Sequence, residues 1–98
     1  MMLYKTLNSN LLSLQKEARY WFALGSLLLK KNREHRNAVT YLNISLELSD
    51  PETDRQLRYD AYFNLADEYF ELRWYDECLE AGQQCFRLKP EKSEVKNI

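Results

Sequence analysis

The sequence predicts an all-α fold made of antiparallel helix hairpins, and three observations carry that expectation. Only two glycines and two prolines occur in 98 residues, whereas sheet proteins need both residue types in their many tight turns. The breaks that do occur leave segments of helical length joined by a few residues, so neighbouring helices must fold back on one another. The segment 52–72 is apolar on more than one side, which a helix lying on a surface does not need.

Taken in order, the first long helix is expected over 12–31. Residues 1–8 carry Leu3, Tyr4 and Leu7 at helical spacing, which predicts a short separate helix within an N-terminal cap of residues 1–11. Lys30, Lys31 and Arg33 close the first long helix, because basic side chains suit the negative end of a helix dipole. The second helix is expected over 34–48 and stops before Ser49-Asp50-Pro51-Glu52. There Asp50 can cap a helix, Pro51 fits its first position, and Glu52 and Asp54 suit its positive end. The third helix is therefore placed over 52–72. Leu72-Arg73-Trp74 makes the next break, and the fourth helix, 75–88, stops at Lys89-Pro90 because the residue before proline disfavours helix. One domain over 1–98 is expected, with hairpins over 12–48 and 52–90 and a polar tail over 91–98.

Within 52–72, Tyr59, Tyr62, Leu65, Ala66 and Tyr69 form one stripe, with Phe63 and Phe70 beside it. A helix held between its hairpin partner and a second hairpin needs two such faces, which predicts a stacked array. A plain four-helix bundle uses the same helices and stays open as an alternative.

The two hairpins also align with each other. Trp21-x-x-Leu24-Gly25-x-x-Leu28 matches Tyr62-x-x-Leu65-Ala66-x-x-Tyr69; Ala38-x-x-x-Leu42 matches Cys78-x-x-x-Gly82; Ser45 matches Cys85; and Asp50-Pro51 matches Pro90. Over about residues 18–90 this resembles the tetratricopeptide repeat, whose pattern is W-x₂-L-G-x₂-Y…A-x₃-F…P. Small residues at Gly25 and Ala66 let each first helix approach its partner, where Ala38 and Cys78 receive it. The resemblance implies hairpins stacked as a short right-handed superhelix. The match departs from the pattern in two ways. Leu24 and Leu65 are 41 residues apart against the family's 34, with one extra residue expected in the first hairpin turn and several at 51–56. Gly82 stands where the family has an aromatic residue.

Several chemistries lack a foothold. The net charge of −1 gives no general attraction to nucleic acid or anionic membranes. The halves differ, residues 1–48 carrying +4 and residues 49–98 carrying −5. That fits two solvated faces or a charge-polarised, head-to-tail association. Cys78 and Cys85 are seven apart on one helix face, beyond disulfide reach and without a second Cys/His pair for metal. His35, the single histidine, sits in a basic turn and lacks the partners a nucleophilic or zinc site needs. The carboxylates of 67–80 read as a solvated face, and no glycine-rich phosphate loop occurs. The start is not patterned as a signal peptide, and no apolar run approaches membrane-spanning length. The expectation is a non-enzymatic, cytoplasmic chain with no cofactor, no metal, no nucleic acid and no membrane partner.

The resemblance implies a concave surface lined by the first helix of each hairpin, holding a peptide or helix. Carried over by position, it selects Arg19, Phe22, Ser26 and Leu29 from the first hairpin, and Asp60, Phe63, Asn64, Asp67 and Phe70 from the second. Phe22, Leu29, Phe63 and Phe70 would make an apolar stripe with a polar rim; the alternative is that the chain's own terminal segments cover them. Some relatives clamp a terminal carboxylate with lysine and asparagine. Asn64 stands at one such place, but Phe22 and Ser26 replace the first hairpin's pair, so that use is not expected. The function expected is an adaptor or scaffold binding another protein. The alternative is a structural segment of a larger or self-associating helical assembly.

Overall fold

The computed structural model describes residues 2–29 and 31–90, with side chains from Leu12 onward. Four helices follow in order: α1 (Met2–Ala23), continuing through a π-helical segment (Leu24–Leu29), α2 (His35–Leu48), α3 (Arg55–Glu71) and α4 (Tyr75–Leu88). No strand occurs among the described residues. α1 pairs with α2, α3 pairs with α4, and α2 packs against α3, so the hairpins stack in the tetratricopeptide-like manner.

The core is small and lies where the hairpins meet. Val39 and Leu42 of α2 cluster with Leu65 of α3 and Ala81 of α4, and Phe22, Leu46, Tyr62 and Tyr69 pack around them. Gly25 brings α1 onto α2: a Cβ there would lie 3.1 Å from Leu42 Cγ and 3.2 Å from the Ala38 carbonyl oxygen. Arg58 ties α3 to the end of α2, donating to the Leu46 carbonyl (3.1 Å) and the Ser49 hydroxyl (2.7 Å). Those bonds satisfy a helix C-terminus that otherwise has orphan carbonyls.

Three expectations change. The N-terminal cap is not a separate helix, because α1 runs unbroken from Met2. Asn8, Ser9 and Asn10 disfavour helix by only a few tenths of a kcal/mol each, and no proline or glycine interrupts them. The third helix starts at Arg55 rather than at 52. Asp50 does accept from the Glu52 N–H (2.9 Å), but Asp54 leaves helical geometry (φ −105°, ψ 36°) and turns its carboxylate back onto the Asp50 N–H (2.8 Å). One turn forms at 51–53, and α3 begins afresh. Finally, the extra residue of the first hairpin is not in its turn. Both turns close alike, on an arginine with positive φ (Arg33 60°, Arg73 65°). In each, a backbone N–H reaches five residues back, Glu34 to Leu29 and Trp74 to Tyr69, both at 2.8 Å. This is the helix-ending motif usually built on glycine. The π segment absorbs the extra residue, as π-bulges do.

Candidate functional site

α3 enters its hairpin with Leu65 and Ala61 inward, which leaves its other apolar stripe beside α4. Phe63 and Phe70, 57% and 59% exposed, stand there as ridges. Tyr59 stacks on Phe63 at 6.3 Å between ring centroids, and Phe70 meets Tyr75 edge-on at 5.8 Å. α4 supplies the opposite wall through Phe86 and a floor of small residues, Cys78, Gly82 and Cys85. Nothing lies within 4 Å of the place a Cβ would take on Gly82. The result is an open groove of about 590 Å³, with Asp67 and Lys89 as the charged residues of its lining. The Lys89 ammonium sits 4.5 Å from the centre of the Tyr59 ring and also bonds Gln56. Burial, and then the nearby Asp60, pushes the Cys85 thiol above its ordinary range, so it lies in the floor as a neutral packing group donating to the Tyr59 carbonyl. Both cysteines are free thiols.

Of the nine residues selected from the sequence, the structure gathers Phe63, Asp67 and Phe70 in this groove. Arg19 and Asp60 face a separate recess of about 270 Å³ with Thr53, Gln56 and Leu57. The Asn64 amide is turned onto the Asp60 carbonyl at 2.8 Å. Ser26 is half-buried. Phe22 packs against the core cluster, and Leu29 is buried. For Leu29 the reason is the π segment, which shifts the register by one. Leu29 thereby takes the inner place of Tyr69 instead of the outer place of Phe70.

The sequence reading missed the α4 half of the groove. Its signal was present: Gly82 stands where the first hairpin has Leu42, so the loss of that side chain opens a space. It also missed His35, whose Nδ1 lies 2.6 Å from Glu68 Oε2. The Glu68 side chain is 2% exposed, and the pair joins the start of α2 to α3. Among the described residues no cluster of three or more His, Cys, Asp or Glu could hold a metal, and no helix is long and apolar enough to cross a membrane.

Two antiparallel hairpins sharing one interface, with an apolar groove at the edge of the second, define a short helical-repeat protein. Residues 59–92 match the family model of the tetratricopeptide repeat. The matched span includes Tyr62, Leu65, Ala66, Tyr69, Cys78 and Pro90, the residues that the sequence pattern singled out in the second hairpin, so the chain carries a tetratricopeptide repeat there. Such repeats are generally non-catalytic and serve protein–protein interaction, and the match supports that general interaction role for this module. No curated protein and no solved structure matches the chain.

Proposed function

We propose that this chain is an adaptor that receives a helix or peptide of a partner protein in the α3–α4 groove. The observation that carries the reading is the groove itself: aromatic walls at Phe63, Phe70 and Phe86 over a floor left empty at Gly82. An apolar ridge entering such a site desolvates several rings at once. Full burial of a phenylalanine is worth about 1.5–3 kcal/mol, and since these rings are a little over half exposed, each adds about half of that on binding, enough together for a specific complex. Asp67 and Lys89 give the rim opposite charges, which orients a ligand and sets its on-rate more than its affinity. Arg19 and Asp60 offer a second polar contact on the α1–α3 side.

A displayed library of helical and extended peptides, selected against the chain, tests this. Ligands should weaken about tenfold or more on Phe63→Ala and fail to bind Gly82→Trp, whose side chain fills the floor. Selection that yields no ligand, or ligands indifferent to both substitutions, refutes the groove. A second reading, a structural segment of a larger helical assembly, is favoured by one observation: α1 also exposes apolar side chains, Tyr20 and Leu27 among them.

A further inference from the structure

The two hairpins are near copies, so each reports what should cover the other. In the first hairpin, Val39 and Leu42 of α2 are 8% and 0% exposed, because α3 lies over them. Their counterparts on α4 are Leu79, 67% exposed, and Gly82. No helix covers that face among the described residues, so the groove is a vacant α3 position. The converse holds for α1. The face by which α3 meets α2 carries Ala61 and Glu68, both buried. The α1 counterpart of Ala61 is Tyr20, and Leu27 and Leu28 stand on either side of the place of Glu68, where the π segment shifts the register. All three are more than half exposed. Among the described residues, α1 therefore presents a stacking face that no hairpin covers, and α3–α4 a receiving face that no helix covers.

We infer that a second copy of this chain joins the two, the outer face of α1 entering the α3–α4 groove of its neighbour. Charge chooses this occupant over an arbitrary helix. Residues 1–48 carry +4 and residues 49–98 carry −5; Lys16, Glu17 and Arg19 lie within about a turn of Tyr20 on α1, while the groove itself is lined by Asp67 and Lys89, so the complementarity is that of the two halves. Opposite potentials meet only when the chains stack head to tail. Such a contact is heterologous, so a pair of copies keeps one free face of each kind, one at either end, and the assembly grows without closing on a dimer. The inference rests on the groove being a binding site, and it names the ligand.

Sedimentation velocity over roughly a hundredfold range of concentration reads the outcome. The intact chain should pass from monomer to species larger than a dimer, and added salt should reverse this by screening the charges. Leu27→Glu removes the inserting face and Gly82→Trp blocks the receiving face. Each alone should remain monomeric, with association weakened about tenfold or more. Mixed together they should form a one-to-one heterodimer that grows no further, since each supplies the face the other lacks. Tyr20→Glu and Phe86→Glu repeat the test should either first variant melt early. A monomer at every concentration overturns the inference, whether the groove is filled by residues 91–98 or by a different protein. A dimer indifferent to Leu27→Glu overturns it equally, because the contact would then be groove to groove. Peptide ligands selected by a monomeric chain would leave the groove reading standing and defeat self-association alone.

Discussion

Leu65 and Phe63 lie two residues apart on α3, and truncating each to alanine should act in opposite ways on stability and binding. Leu65 is 2% exposed and sits in the cluster with Val39, Leu42 and Ala81. Leu65→Ala removes buried methyl groups and leaves a cavity against α2, which costs about 2–5 kcal/mol. A domain of this size has a total stability of only about 5–15 kcal/mol. At about 4–8 °C per kcal/mol, the melt should fall by about 8 °C at the least and by several times that at the upper end. Phe63 already shows 57% of its surface to water. Full burial of a phenylalanine is worth about 1.5–3 kcal/mol, so less than half of that, about 1 kcal/mol, is at stake in the monomer. Phe63→Ala should therefore lower the melt by only about 4–8 °C. The assay is thermal unfolding by circular dichroism at low protein concentration, run side by side on the two variants and the parent chain. Equal losses for the two variants would make Phe63 a core residue and refute the groove.

Three further outcomes follow from particular contacts. Gly82→Ala should stabilise by about 0.8–1 kcal/mol through helix propensity, since its Cβ meets nothing, whereas Gly25→Ala should destabilise, because the backbone atoms of Ala38 and Leu42 cannot give way; equal signs in paired melts would refute the close approach of α1 to α2. His35→Ala leaves the buried Glu68 carboxylate without its 2.6 Å partner and should cost about 1–3 kcal/mol, while the exposed Glu34→Ala should stay within about 0.5 kcal/mol, as denaturant titration can check. Burial favours the neutral thiol of Cys85 in the fold: the folded value lies above the unfolded one, so its stabilisation is complete below about pH 8.5 and is lost as pH rises through the folded value. The melt of the parent should accordingly fall relative to Cys85→Ala under alkaline conditions, and a constant gap across that range would contradict the burial.

What the sequence made legible was the part governed by local chemistry. Pro51, Pro90, the basic run at 30–33 and the scarcity of glycine located four helices and their pairing, and the alignment of Trp21 with Tyr62 located the repeat. What it hid depended on competition between comparable small terms. Asp50 has the right chemistry to start a helix and does start a turn, but the Asp54 carboxylate folds back onto the Asp50 N–H and the helix restarts at Arg55. Nothing in Leu24–Leu29 distinguishes a π turn from an α turn by composition, yet that turn decides whether Leu29 faces inward. The groove was half legible. Phe63, Asp67 and Phe70 came from positional analogy within one helix, whereas Cys78, Gly82 and Phe86 required knowing that, among the described residues, no further helix packs on α4.

The same arithmetic that makes the core thin makes its open faces matter. The largest fully buried side chains are Leu42, Leu65, Glu68 and Ser45, two of them polar, so apolar burial inside one chain is modest. In a stacked array, stability is approximately each hairpin's own contribution plus one contribution per interface. The described residues form two hairpins and one interface between them, while the apolar surface for two more interfaces lies on Tyr20 and Leu27 at one side and on Phe63, Phe70 and Phe86 at the other. Any occupant of either face adds an interface comparable to the one that already exists. Binding and folding are then coupled by mass action, and the melting temperature must rise with ligand, or with chain concentration if the ligand is the chain itself. Leu27→Glu should flatten that concentration dependence without changing the melt in the dilute limit. A slope that survives the substitution would mean that the added interface forms somewhere other than on α1.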